Sequence, residues 1–186
     1  MDEAIVRRLV RDLGEELGPV YGRRGKNHLD AKIVGYNQAA RSSPWLILRD
    51  MDHDDYCPVS LRDSLLSAPE SNMCLRIAVR SVESWLLADS RSIATFFGVS
   101  AALVPRNPEA LDNPKGSLVN LARRSNRTAI REDIVPRQGS GRSEGPAYTA
   151  RMIEFVDGRW QPNIASGNAK SLDRTIRCLK RLLAPL

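Results

Sequence analysis

The chain has few of the residues on which common catalytic centres are built. Among its 186 residues are three cysteines and two histidines. Cys57, Cys74 and Cys178 are odd in number, and their spacing matches no zinc-ligand pattern, which argues against a structural zinc site. They are expected to be reduced thiols that mostly serve packing. His28 carries no signal, and no Ser/His/Asp set stands in a recognisable hydrolase arrangement. The phosphate-binding pattern G-x-x-x-x-G-K-[ST] is absent. No apolar run approaches the ~20 residues needed to span a bilayer, so no membrane association is expected. The first residues, Met1-Asp2-Glu3-Ala4, are acidic and lead into an amphipathic pattern, unlike a signal peptide. A cytoplasmic location is the default expectation. No internal repeat and no low-complexity tract interrupts the chain.

What is present is charge of both signs, unevenly placed. The formal net charge is +6 and the isoelectric point near 9.6, which suits a phosphate-rich partner such as nucleic acid. Basic residues gather at Arg23, Arg24 and Lys26, and again at Arg123, Arg124, Arg127, Arg131, Arg137 and Arg142. Acids gather at residues 50–55. An acidic focus inside a basic chain is what a metal-dependent enzyme acting on polyphosphate needs. Hydrophobic content of 42% is ordinary for a domain with a proper core.

Periodicity predicts alternating elements. Ile5, Leu9, Leu13 and Leu17 mark an amphipathic helix ended by Gly18-Pro19. Val20-Tyr21 is a candidate short strand before the loop Gly22-Arg23-Arg24-Gly25-Lys26. A helix is expected from about Leu29 to Arg41. Trp45–Arg49 reads as a strand whose continuous apolar character suits a sheet covered on both faces. Pro58 opens a helix, Cys74–Val79 forms a strand, and helices follow from Ser81 and from Asp89 to about Gly98. Pro105, Pro108 and Pro114 punctuate a loop. Short helices are expected at Ser117–Ser125 and Tyr148–Val156, a mobile basic loop at 136–146, and a last helix capped by Ser171. The alternation argues for an α/β domain with a mostly parallel sheet flanked by helices. Residues 1–125 are read as that domain and residues 126–186 as a mainly helical C-terminal extension packed on it.

The segment Trp45-Leu46-Ile47-Leu48-Arg49-Asp50-Met51-Asp52-His53-Asp54-Asp55 carries the most chemistry. An apolar strand ends in a cluster of carboxylates. On extended backbone, residues i and i+2 point to one side, so Asp50 and Asp52 are expected to converge on a cation. Mg²⁺ is usually held by one or two carboxylates plus water and substrate phosphate.

This arrangement resembles the Toprim domain of topoisomerases, bacterial primases and the OLD (overcoming lysogenization defect) nucleases. More closely, the chain resembles a bacterial Toprim-like family of unknown function, often encoded beside an AAA-type ATPase in clusters linked to phage defence. The matching stretches are Gly22–Lys26, Pro44–Asp52, Arg76-Ile77-Ala78-Val79-Arg80-Ser81-Val82-Glu83-Ser84-Trp85-Leu86-Leu87-Ala88-Asp89, and Asn113-Pro114-Lys115. The resemblance implies a Toprim-like (Rossmann-like) fold, Mg²⁺ or Mn²⁺ as cofactor, nucleic acid as substrate and an AAA-type ATPase as possible partner. The chain departs from the family in one respect. The first strand and its Glu-Gly turn are missing before the helix that opens at Asp2, and a start codon assigned too late is the favoured explanation.

Under this reading Asp50, Asp52 and Glu83 are catalytic carboxylates, with Asp50, Asp52, Asp54 and Glu83 as metal ligands. Asp54 and Asp55 either assist through water or act as helix N-terminal acids. Glu83 could equally be a first-turn helix acid. Lys115 is a candidate to meet the scissile phosphate. Arg23, Arg24, Lys26 and Arg80 are candidate phosphate contacts, with pairing to Glu83 an alternative for Arg80. His53 is expected to face solvent, with metal ligation beside the acids as the alternative, and Trp85 to lie in the core. The expected function is Mg²⁺-dependent phosphodiester hydrolysis. The alternative is a non-catalytic nucleic-acid-binding or docking subunit on the same fold.

Overall fold

A computed structural model describes residues 1–22, 25–54 and 57–184. Two apolar runs pair as a parallel sheet: β1 (Trp45–Asp50) and β2 (Met73–Ala78), in register from Trp45 opposite Met73 to Asp50 opposite Ala78. Side chains alternate across it. Ile47, Met73 and Leu75 pack with Ile33 of α2 (Lys26–Ala39), while Ile77 packs with Leu61 of α3 (Pro58–Leu65). Leu46, Leu48 and Ala78 face the larger core on the opposite side.

That larger core is helical. It joins α1 (Asp2–Arg11), α4 (Glu83–Ala88), α5 (Ser90–Phe97), α6 (Pro114–Arg123), α7 (Thr128–Ile134), α8 (Tyr148–Gly158), α9 (Pro162–Ala165) and α10 (Lys170–Leu182). Ile5, Trp85, Phe97, Phe155 and Trp160 are fully enclosed in it. Residues beyond 126 therefore share one core with the start of the chain. Trp85 is central: its indole N–H donates to Ser171 Oγ at 2.7 Å, and the Trp160 indole donates to the Trp85 carbonyl at 3.2 Å. Two short 3₁₀ turns, at 101–103 and 108–110, replace the Pro-rich loop.

The coarse expectation, a mixed α/β domain with parallel strands between helices, is what the chain adopts, with helix predominating and, among the described residues, a sheet of two strands. Several details differ. The first helix ends at Arg11 rather than at Gly18-Pro19, because Gly14 takes a left-handed backbone (φ +84°) that helices use to stop. Val20-Tyr21 forms no strand. Tyr21 instead stacks on Trp45 with ring centroids 5.5 Å apart, and Tyr36 stacks on the same indole at 5.2 Å. The basic loop at 136–146 is tied at its end, where the Gly145 N–H donates to the Ile134 carbonyl at 2.8 Å.

The expectation of three reduced thiols is corrected. Cys74 of β2 and Cys178 of α10 form a disulfide with Cα atoms 6.2 Å apart, and Cys57 lies outside it. The two partners are 104 residues apart in sequence, so counting and local spacing gave no hint of the pairing. Among the described residues no helix is long and apolar enough to cross a membrane.

Candidate functional site

The strands end side by side, and their exits are stapled together. The Asp52 N–H donates to the Arg80 carbonyl at 2.7 Å, and Arg80 Nη1 donates back to the Asp52 carbonyl at 3.0 Å. Both residues hold left-handed backbone, at φ +50° for Asp52 and +59° for Arg80. Aspartate tolerates this region; for arginine it is a strained conformation of the kind that clusters at functional sites. The pleat argument for Asp50 and Asp52 is thereby corrected. Extended backbone stops at Asp50, and Asp52 reaches the site through a turn, not as the next residue on one strand face.

A cleft of about 390 Å³ opens beside these exits. It is lined by Asp50, Asp52, His53, Arg80, Glu83 and Lys115, together with Asp112 and Asn113. Five candidates from different parts of the chain, Asp50, Asp52, Arg80, Glu83 and Lys115, thus meet there. Asp50 lies on the strand face turned toward the helical core, as Leu46 and Leu48 do, and accepts a hydrogen bond from the Val82 N–H at 3.0 Å. Burial pushes its carboxyl up to about 8, reinforced by the nearby acids Asp2, Glu83 and Asp52 and opposed by the Val82 N–H. Glu83, nearly inaccessible at 3% exposure, receives the Tyr148 hydroxyl at 3.4 Å. Burial, then Glu83, holds that tyrosine well above the usual phenol range. Lys115, in the first turn of α6, places Nζ 3.9 Å from Glu83 and 3.6 Å from Glu144, over the Tyr148 ring.

Lys26 and Asp54 lie beside the cleft and not on its walls. Lys26, at the start of α2, donates to Asp52 at 2.8 Å and to Asp54 at 2.9 Å, which raises its own ammonium. Asp54 is held below the usual carboxylate range by Lys26 and then by Arg49. Arg49, buried at 4% exposure, bridges Asp30 at 2.8 Å and Asp54 at 2.6 Å. Arg80 contacts His53 Nδ1 at 3.1 Å and Asp112 at 3.4 Å, and does not pair with Glu83. His53 is exposed, as expected. Arg23, Arg24 and Asp55 fall outside the described residues.

Three participants were not read from the sequence. Asp2 had a first-turn acid as its only signal. Arg49 ends the apolar run Trp45–Leu48 inside the strand, where a buried arginine needs a carboxylate partner that local spacing does not identify. Tyr148 is 65 residues from Glu83 and left no trace of the contact.

The donor set at the cleft is chemically suited to a hard divalent cation. Three carboxylates, Asp2, Glu83 and Asp52, surround Asp50, and after burial their repulsion raises its pKa further, a repulsion that a cation would relieve. Asp50 holds the Val82 N–H and Glu83 the Tyr148 hydroxyl, while Asp52 is engaged by Lys26. Among the described residues, no group of three or more His, Cys, Asp or Glu side chains stands ready in metal-holding geometry.

No protein-family model, no curated protein and no solved structure matches this chain.

Proposed function

We propose that the chain is a Mg²⁺-dependent phosphodiesterase of Toprim-like type that acts on nucleic acid. The observation that carries this reading is the convergence of Asp50, Asp52 and Glu83 with Lys115 and Arg80 at the C-terminal ends of two parallel strands. Ligand sites of open α/β sheets lie at that edge. Asp50 and Glu83 would hold the ion, joined by Asp52 on leaving Lys26. A bound Mg²⁺ would supply Lewis-acid charge and a more acidic water. Lys115, 3.9 Å from Glu83, would neutralise charge developing on a phosphoryl oxygen. Arg80, fixed by its contact with the Asp52 carbonyl, would orient the phosphate. Lys26 would contact a phosphate only after releasing its two aspartates. The phage-defence setting and the AAA-type ATPase partner belong to the resemblance and extend this proposal.

One observation favours the second reading, a docking subunit without catalysis. Asp52 and Asp54 are already neutralised internally by Lys26 and Arg49. Calorimetric titration with Mg²⁺ and Mn²⁺, run beside plasmid and RNA cleavage, separates the two. Metal-dependent cleavage lost in Asp50→Ala/Asp52→Ala is the expected result. Neither binding nor cleavage in the unaltered chain would overturn the enzyme reading and leave the docking subunit.

A further inference from the structure

Arg76 lies in the middle of β2, on the face it shares with Cys74 and Ala78. Its Nε is buried and has no hydrogen-bond partner. The Cys74–Cys178 bond draws α10 onto this face. Arg174 and Arg181 stand four residues before and three after Cys178, which puts them on the same helical stripe as the disulfide. Arg62 approaches from α3, whose elements pack on the opposite face. Among the described residues β2 pairs with β1 alone, so its outer edge is open between α3 and α10. After burial, the charges of Arg62, Arg181 and Arg174 are what hold Arg76 below its usual value. Among the described residues no carboxylate pairs with Arg76, Arg174 or Arg181, and the partner of Arg62 is its exposed neighbour Asp63, at 2.8 Å.

Arg62, Arg174 and Arg181 lie near enough to Arg76 for their charges to oppose its own, and that is costly. A buried N–H without an acceptor carries its full desolvation penalty, and an uncompensated buried charge adds to it. An anion would satisfy the orphaned donor and screen the repulsion together. Guanidinium forks match phosphate oxygens in bidentate geometry, and a tetrahedral phosphate offers enough acceptors for several forks at once.

We propose that Arg62, Arg76, Arg174 and Arg181 form a phosphate-binding site at the outer edge of β2, apart from the acidic cleft. The group bound is a phosphate, either the backbone of a nucleic acid or a phosphorylated small molecule. The site is independent of whether the cleft hydrolyses anything.

The test uses the full chain without divalent metal. Thermal unfolding is followed as inorganic phosphate is titrated, and binding of a short fluorescein-labelled single-stranded oligonucleotide is measured by anisotropy. Arg174→Gln/Arg181→Gln removes two exposed contributors. Arg91→Gln/Arg123→Gln removes the same charge from exposed positions elsewhere and serves as the control. Arg76→Met removes the guanidinium whose buried Nε has no partner. In the unaltered chain, phosphate should raise the melting temperature with a saturating dependence. Arg174→Gln/Arg181→Gln should weaken phosphate about tenfold or more, the scale of losing charge-assisted hydrogen bonds, while the control retains it. Arg76→Met should melt higher than the unaltered chain without phosphate, yet respond less to it. Oligonucleotide binding that weakens in the same variant and is displaced by phosphate identifies a nucleic-acid backbone. Oligonucleotide binding that stays unchanged while the phosphate response is lost identifies a small phosphorylated ligand. An equal phosphate response in all variants is the general effect of an excluded salt and would overturn the site, as would no response in the unaltered chain.

Discussion

Asp50 combines an acceptor role toward the Val82 N–H with a neighbourhood containing Asp2, Asp52 and Glu83. Its pKa rises from 3.8 to about 8 in the folded chain, so folding favours its protonated form. The linked stability is fully present below about pH 4, declines as pH rises, and is gone once pH passes about 8. Asp50→Asn keeps the acceptor oxygen and removes the titration. The variant should therefore gain stability relative to the unaltered chain on going from pH 5 to pH 9. Urea midpoints at those two values check this, and parallel midpoints would mean Asp50 ionises normally. Apolar strand flanks and the carboxylate run made Asp50 readable as a candidate site residue. Its protonation preference was not readable, because Asp2 and Glu83 arrive from other elements.

At the scale of elements, Asp89 shows how one side chain organises several. It is fully buried at the junction of α4 and α5, where it caps α5 by accepting from the Ser92 N–H at 3.3 Å. Its other oxygen accepts from the Gln161 N–H at 2.9 Å, just before α9. Asp89→Ala should destabilise the chain by about 2–3 kcal/mol, the cost of one helix cap and one charge-assisted bond. Asp89→Asn should recover most of the loss, with urea denaturation as the measurement. The helix restart at Asp89 and its stop at Gly98 followed from capping chemistry. The link to Gln161 did not, since nothing near Asp89 signals a partner 72 residues away. The last helix likewise begins at Lys170, where Glu109 accepts from the N–H groups of Lys170 and Ser171 at 2.9 Å, in place of the expected Ser171 side-chain cap.

Over the whole molecule, the Cys74–Cys178 bond closes a span of 104 residues and ties the last helix to the sheet. Closing so long a span chiefly restricts the unfolded chain. Cys74→Ala/Cys178→Ala should lower stability by about 2–4 kcal/mol. A reductant should bring the unaltered chain down toward the same midpoint in chemical denaturation. A midpoint indifferent to reductant would show that the bond does not form in solution. The same tie orients Arg174 and Arg181 beside Arg76, so reduction should also weaken the phosphate response at the edge of β2.

Local periodicity by itself determined that this chain alternates helices with apolar strands, that β1 delivers Asp50 at its end, and that Trp85 is core. These are properties of short windows, in which hydrophobic spacing, caps and glycines act on their own neighbours. Only the tertiary structure decided that the sheet has two strands among the described residues, that Lys26 and Arg49 occupy Asp52 and Asp54, and that Cys74 finds Cys178. It also decided that arginines from α3 and α10 come near enough to Arg76 of β2 to oppose its charge, with no carboxylate pairing Arg76 among the described residues. Each of these depends on side chains distant in sequence sharing one place. Burial then sets the electrostatic outcome, raising the Asp50 carboxyl and depressing the Arg76 guanidinium, because the solvation each charge loses is replaced only by what the fold brings beside it.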